Sequence, residues 1–180
     1  MNVQIINKKS VLASVWDGGE TYEYFIFPKD ALYTNRNFLF RISVATINKA
    51  PSTFTQFNNY QRFLVMLNGN LHVNLNGKEK HFSTNDVFEF QSNDFIESFT
   101  TGKDFNFMVE KNANANVVIA TEWNILSSKF AFVFVTSNTT VTVNQNTYFL
   151  QTDDLLIVTN YLNSNLNIQT NNNAIIGYCN

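Results

Sequence analysis

The sequence predicts an all-β protein, and three observations support that prediction. Short runs of residues alternate between apolar and polar side chains, as strands with one buried face do. Turn-forming Asn and Gly residues separate these runs at the short intervals typical of antiparallel hairpins. A pattern of apolar, Asn and Asp residues also recurs at an offset of 68 positions, which indicates an internal repeat.

The predicted strands follow one another along most of the chain. They cover residues 38–47, 63–67, 71–75, 87–90, 105–109, 117–121, 130–135, 139–143 and 155–158. Turn signals lie between them at 68–70, 76–78, 136–138 and 144–146. Residues 122–129 are interpreted as a short helical turn, and the Asn-rich residues 171–173 as a loop turn.

Composition and charge restrict the class of protein. Apolar residues make up 44% of the 180 residues and aromatic residues 15%, which is typical of a folded chain with an aromatic core. The net charge is -2 and the basic residues are scattered, so neither nucleic acid nor an anionic membrane is an expected partner. The single cysteine, Cys179, excludes an intramolecular disulfide. The N-terminus lacks the features of a signal peptide, and we expect a cytoplasmic protein.

The internal repeat predicts two related halves. Asp86 and Asp154 each precede an apolar strand, and they are related by the same ungapped offset as the hairpins before them. Chance matching of hairpins in an Asn-rich chain is the alternative, but the shared offset favours duplication. A repeated unit of hairpins whose sheet closes on itself describes a bicupin, a pair of double-stranded β-helices. The predicted halves are residues 1–112 and 113–180, packed as one globular unit. Matching positions are Val65 and Val133, Leu67 and Val135, Asn70 and Asn138, Val73 and Val141, Leu75 and Val143, Asn76 and Asn144, and Thr84 and Thr152.

A series of short blocks runs from residue 16 to about residue 111. The blocks are Trp16 with Gly18, Gly19 and Thr21; residues 40–45 (FRISVA); Phe54 with Phe57; residues 62–69 (RFLVMLNG); and residues 104–108 (DFNFM). In their order and approximate spacing they resemble the signatures of the HutD/Ves family. The resemblance implies a cupin-like double barrel and a role in histidine utilisation or a stress response. It also implies a ligand of the urocanate or formylglutamate kind. Residues 50–55 and 59–62 depart from the family pattern.

No metal site is predicted. Many cupins hold a metal through two His one residue apart, a following Glu and a later His. Counted back from Gly69, Arg62 occupies the Glu position, and residues 55–58 supply no imidazole or carboxylate. His72 and His81 are the two histidines of the chain, and we interpret both as half-exposed sheet residues. No cofactor is predicted either, since nucleotide-binding glycine motifs are missing.

Two predicted strands carry polar side chains on one face. Arg41 and Ser43 alternate with apolar residues on the first strand, and Asp104, Asn106 and Met108 do so on the second. Alternation alone favours a face turned to solvent. The family resemblance favours a face that lines a pocket in the mouth of a barrel.

If the polar residues converge, they form a site for a small carboxylate or imidazole. Arg41 or Arg62 would hold a carboxylate through two hydrogen bonds, and Asp104 would orient the free guanidinium or accept an imidazole N–H. Ser43 and Asn106 would orient the ligand. The alternative is a buried Arg–Asp pair that bridges strands and binds nothing.

Trp16 and the glycines after it are the remaining candidates. An aromatic ring beside a flexible turn can stack on a planar ligand as a lid or wall, although packing of the N-terminal segment is an equal alternative. Met108 completes the predicted binding set.

The residues favour a metal-free binding protein with a regulatory or buffering role over an enzyme. The alternative is a cofactor-free isomerase or hydrolase with Asp104 as general base. A homodimer formed through sheets is a further expectation. The C-terminal half is expected to be structural, because few of its polar residues match the predicted site.

Overall fold

The computed structural model describes all 180 residues, and most of them lie in antiparallel strands. The all-β prediction is therefore confirmed. Two single turns of 3-10 helix occur at Lys8–Ser10 and Tyr33–Asn35, and no helix has the length and apolarity to cross a bilayer. The strands are β1 Asn2–Ile6, β2 Ala13–Trp16, β3 Gly19–Phe27, β4 Phe40–Ile47, β5 Ser52–Thr53, β6 Tyr60–Met66, β7 Leu71–Leu75, β8 Lys78–Phe82, β9 Phe88–Gln91, β10 Ile96–Ser98, β11 Gly102–Glu110, β12 Ala115–Ile125, β13 Phe130–Val135, β14 Thr139–Val143, β15 Asn146–Leu150, β16 Leu155–Thr159 and β17 Leu166–Cys179.

The chain forms two compact units. The N-terminal unit is Leu12–Asn112, and the C-terminal unit combines Met1–Val11 with Ala113–Asn180. One unit ends at Asn112, and the other resumes at Ala113. The first eleven residues belong to the C-terminal unit, and β1 pairs with β16 along its whole length. Their composition resembles that of the rest of the chain, so only strand pairing assigns them to the C-terminal unit.

The N-terminal unit contains two antiparallel sheets. The six-stranded sheet has the order β2-β3-β4-β11-β6-β9, and the four-stranded sheet has the order β5-β10-β7-β8. A cluster of buried apolar side chains draws members from both sheets, so it is the core that joins them. Its members are Leu64, Met66, Leu71, Val73, Phe88, Phe90 and Ile96.

The C-terminal unit is built on one seven-stranded sheet. Its order is β1-β16-β13-β17-β14-β15, with β12 also paired to β17. All side chains of β13 are buried, which explains its almost continuous apolar sequence. The unit has its own core, which includes Val133, Val141, Leu156 and Ile176.

The two units share the register of one hairpin. In β7–β8, Leu71 lies opposite Phe82; in β14–β15, Thr139 lies opposite Leu150, and every pair differs by 68 positions. The residue that opens each turn has positive φ, with 51° at Asn76 and 55° at Asn144. Asn tolerates this left-handed conformation better than most residues, which accounts for the repeated Asn-led turn.

Two local interpretations were wrong. Residues 122–125 belong to β12 rather than to a helical turn, because their backbone pairs with β17 and Trp123 packs on Tyr178 with ring centroids 5.4 Å apart. Residues 171–173 lie within β17 rather than in a loop, opposite a break in the β12 register between Ala120 and Glu122. This irregularity leaves the three Asn residues exposed.

Candidate ligand-binding cavity

A cavity of about 690 Å³ lies in the N-terminal unit, and all seven predicted site residues line it. This volume falls in the range of pockets that bind small molecules. The seven are Trp16, Arg41, Ser43, Arg62, Asp104, Asn106 and Met108. Of the two alternatives for the polar face, the pocket lining is therefore the one observed.

The register of three strands explains why these side chains meet. Asp104, Asn106 and Met108 alternate along β11, which pairs with β4 on one side and with β6 on the other. Asn106 lies opposite Ser43, and Met108 lies between Arg41 and Arg62. Cross-strand partners project from the same face of a sheet, so β11 is the middle row of the cavity wall.

Arg41 is already bound within the protein. Its Nε donates to Glu23 Oε2 at 2.6 Å, and its Nη1 donates to the hydroxyl of Ser43 at 2.9 Å. The guanidinium also lies 4.4 Å from the ring centroid of Tyr33. Glu23 thus compensates the positive charge of Arg41, and the hydroxyl of Ser43 already accepts a hydrogen bond.

Arg62 has aromatic neighbours and no hydrogen-bonding partner in the protein. Its guanidinium carbon lies 5.2 Å from the ring centroid of Phe54 and 4.9 Å from that of Phe90. Its Nε is buried without a partner. Burial lowers the pKa of Arg62 to about 10, so the side chain is still cationic at neutral pH. A partly buried cation that lines a cavity and has no hydrogen-bonding partner can recruit an anion.

Asp104 is buried in the wall of the same cavity, and its carboxyl makes no hydrogen bond. Burial raises the pKa of its carboxyl to about 7, although the charge of Arg62 opposes the rise. No ion pair joins the carboxyl of Asp104 to the guanidinium of Arg62, whereas Arg41 is paired with Glu23. The alternative of a buried Arg–Asp pair that bridges two strands is therefore not observed.

Asn106 and Met108 supply different surfaces. The Oδ1 of Asn106 is buried without a hydrogen-bond partner, so it is an unused acceptor at the cavity wall. Met108 is 2% exposed and packs in a cluster with Phe38, Phe57 and Tyr60. Its role is that of an apolar wall.

Trp16 lies at the rim of the cavity and is 40% exposed. Its indole Nε1 donates to Thr21 Oγ1 at 3.2 Å. The ring covers Gly18 so closely that a Cβ atom there would lie 2.0 Å from a ring carbon. Glycine at position 18 therefore permits the observed position of the indole.

The predicted site residues did not include four neighbours of the two arginines. Glu23 and Tyr33 neutralise and cover Arg41, while Phe54 and Phe90 enclose Arg62. Thr21 and Glu23 are two residues apart on β3, and this polar alternation could have indicated that both side chains lie on the same face. Phe90 becomes a neighbour of Arg62 only through the pairing of β6 with β9.

The cavity lining does not suit a metal of the cupin type. It offers the carboxyl groups of Glu23 and Asp104, with no imidazole or thiolate, and two guanidinium groups beside them. Imidazole is the ligand that such iron, nickel or zinc sites use most, and the arginines repel a cation.

Comparison with known proteins supplies the relationships of the chain. A family model described as HutD matches residues 8–176. No curated protein sequence matches the chain.

Solved structures give similarity in fold. A conserved protein of unknown function from Pseudomonas aeruginosa PAO1 is 17% identical, with a TM-score of 0.82 over 99% of this chain and 98% of that one. HutD from Pseudomonas fluorescens SBW25 (formate condition) is 20% identical, with a TM-score of 0.79 and the same coverage. A cupin 2 conserved barrel domain protein from Leptotrichia buccalis is 11% identical, with a TM-score of 0.57 over 99% and 97% of the two chains. The fold is therefore cupin-like.

Proposed function

Because the chain belongs to the HutD family, we propose that its cavity binds a small carboxylate or imidazole metabolite, such as urocanate or formylglutamate. The bound protein would have a regulatory or buffering role in histidine utilisation or a stress response, without a metal in the cavity. The observation that carries the proposal is that the cavity lining contains polar groups without a hydrogen-bond partner in the protein: Arg62 Nε, Asn106 Oδ1 and the carboxyl of Asp104.

Polar groups without a protein partner favour a ligand that can pair with them. A buried donor or acceptor without a partner costs about 1–3 kcal/mol, and a buried charge costs more. Arg62 Nε and Asn106 Oδ1 are such atoms, and the carboxyl of Asp104 has no hydrogen bond. A ligand with acceptors for the guanidinium and a donor for the amide oxygen would satisfy them together.

Arg62 is the better carboxylate-binding residue of the two arginines. Arg41 already donates to Glu23 and Ser43, whereas Arg62 donates to no protein atom. A guanidinium presents its donors in a plane that matches the two oxygens of a carboxylate. The rings of Phe54 and Phe90 exclude water around it, which strengthens the interaction.

Asp104 suits a ligand that carries a second polar group, an imidazole or another acid, besides the carboxylate that Arg62 binds. With a pKa of about 7, its carboxyl is partly protonated at neutral pH. The protonated form can donate to a second carboxylate, and the ionised form can accept an imidazole N–H. Urocanate and formylglutamate each have a carboxylate for Arg62 and a second polar group for Asp104 or Asn106.

The test is calorimetric and thermal-shift titration of the purified protein with urocanate, formylglutamate, histidine and glutamate. One ligand at a hundred times its Kd should stabilise the fold by about 2.7 kcal/mol. Arg62→Met should abolish the shift, Arg41→Met should reduce it, and the exposed-residue control Lys111→Met should leave it unchanged. If none of the four compounds binds, or Arg62→Met binds as well as wild type, the proposal is wrong.

An enzymatic function is the alternative, and the raised pKa of Asp104 is the observation that favours it. A general base works best when its pKa lies near the working pH, as that of Asp104 does. Arg62 would then stabilise negative charge that develops on the substrate. Turnover of a bound metabolite that disappears in Asp104→Asn, with binding retained, would promote the enzyme over the binding protein.

We propose that the two units are copies of one ancestral cupin unit. The shared β7–β8 and β14–β15 register supports this. So do Asp86 and Asp154, which each accept a hydrogen bond from the backbone N–H of the residue three positions earlier, at 2.7 Å and 2.9 Å. The polar residues that line the cavity have no matching polar set in the C-terminal unit. This difference supports a structural role for the C-terminal unit.

A further inference from the structure

The two histidines of the chain face each other on the β7–β8 hairpin. His72 is the register partner of His81, and Asn74 is the partner of Glu79. Residues two apart on a strand share a face, so these four side chains form one polar quartet. None of them lines the cavity described above.

From this arrangement we propose that His72, His81 and Glu79 bind a divalent transition-metal cation, with zinc as the test ion. One ligand atom from each residue lies within 4.8 Å of the others. Two imidazoles and a carboxylate are a donor set that zinc, nickel and copper all accept. A fourth position is open to water, since His81 and Glu79 are exposed.

Two atoms of the quartet have no hydrogen-bond partner, and this supports the proposal that the quartet binds a ligand. The Nε2 of His72 is buried with no hydrogen-bond partner and lies 3.9 Å from Glu79 Oε2. The Oδ1 of Asn74 is buried and unpaired as well. A cation between the strands would satisfy His72 directly, and its bound water could donate to Asn74.

The surrounding charge favours a cation. Glu97 on β10 is the register partner of Asn74, which places a second carboxylate on the same face. Lys78 and Lys80 alternate with Glu79 and therefore point to the other side of β8.

Binding requires a local rearrangement of one exposed side chain. The imidazole rings lie 4.3 Å apart with an interplanar angle of 17°, so their nitrogen lone pairs do not converge. Zinc–nitrogen bonds of about 2.0–2.1 Å require the rings to turn towards one point. His72 is held by Phe99, with ring centroids 5.0 Å apart, whereas His81 is exposed and free to change rotamer.

The experiment is calorimetric titration of zinc chloride into the untagged 180-residue chain, with His81→Ala, Glu79→Gln and His72→Gln as variants. We expect one bound zinc per chain and affinity reduced at least about tenfold in each variant. Glu122→Gln changes an exposed carboxylate in the other unit and should bind as wild type. Because Glu79 and His81 are exposed, their variants should keep the wild-type melting temperature in the absence of zinc.

A second readout locates the ion. Zinc should shift the imidazole resonances of both histidines in the NMR spectrum of the wild-type protein, and raise its melting temperature. Absence of binding at millimolar zinc would overturn the proposal. Binding that neither His81→Ala nor Glu79→Gln weakens would overturn it equally. The quartet lies outside the cavity, so this result is independent of the metabolite titrations.

Discussion

Glu23 accepts a hydrogen bond from the buried guanidinium of Arg41 at 2.6 Å, and this pairing distinguishes the two arginines of the cavity. It compensates the charge of Arg41 and leaves Arg62 as the cation with no hydrogen-bonding partner. The two arginines therefore differ in what their removal should do.

Arg62→Met should raise the free energy of unfolding by about 1 kcal/mol or more while abolishing metabolite binding. Methionine has a similar volume and removes the cost of desolvating a guanidinium that has no hydrogen-bonding partner. Urea denaturation of the unliganded variant measures the effect. A loss of stability would show that Arg62 contributes to the fold rather than waiting for a ligand.

Glu23→Ala should destabilise the protein by about 1.5–3 kcal/mol, because it removes a hydrogen bond to a buried charge. Asp17→Ala is the matched control. Asp17 pairs with Lys49 at 2.9 Å, but their side chains are 95% and 63% exposed. An exposed pair of this kind contributes at most about 1 kcal/mol. Equal effects of the two substitutions in denaturant melts would contradict the account of Arg41.

Asp104→Asn should change how stability depends on pH. The folded-state pKa of Asp104 is about 7, above its ordinary value of 3.8. Between these values the folded protein holds a proton that the unfolded chain releases, so this group's contribution to stability falls as pH rises. The slope is about 1.4 kcal/mol per pH unit in that window. Urea denaturation at several pH values should show the slope in wild type and in the exposed control Asp30→Asn, but not in Asp104→Asn.

Asn76→Ala and Asn144→Ala should each lower the free energy of unfolding by about 1–3 kcal/mol. The two losses should be similar. Each Asn has positive φ, and each side chain accepts a hydrogen bond at 2.9 Å from a backbone N–H, that of Phe95 or Asn167. Alanine loses that bond and is strained in the left-handed region. Thermal melts are the measurement, with the exposed Asn58→Ala as control. Widely different losses would weaken the case for a duplicated unit.

Much of the fold could be predicted because the alternation of apolar residues reports buried faces. Strands β7, β13 and β14 have the predicted bounds. Strand β8 was missed because its sequence is largely charged and it pairs with β7 alone. Such an edge strand has little apolar pattern to detect.

The polar face of the cavity could be predicted from alternation together with the family resemblance, but its partners could not. The neighbours of Arg62 depend on which strands lie side by side. The local alternation of apolar and polar residues does not reveal that order. For the histidines a local signal did exist. A two-residue turn at Asn76 and Gly77 makes Leu75 face Lys78, and counting back from it places His72 opposite His81.

Strand β1 has a consequence for the order in which the chain can fold during synthesis. Asn7 donates to the carboxylate of Asp154, 147 positions later, and β1 pairs only with β16. The partner of β1 therefore emerges from the ribosome after the whole of Leu12–Asn112 has been made. The N-terminal unit, which contains the cavity, can fold first, whereas β1 can pair only after β16 has been synthesised.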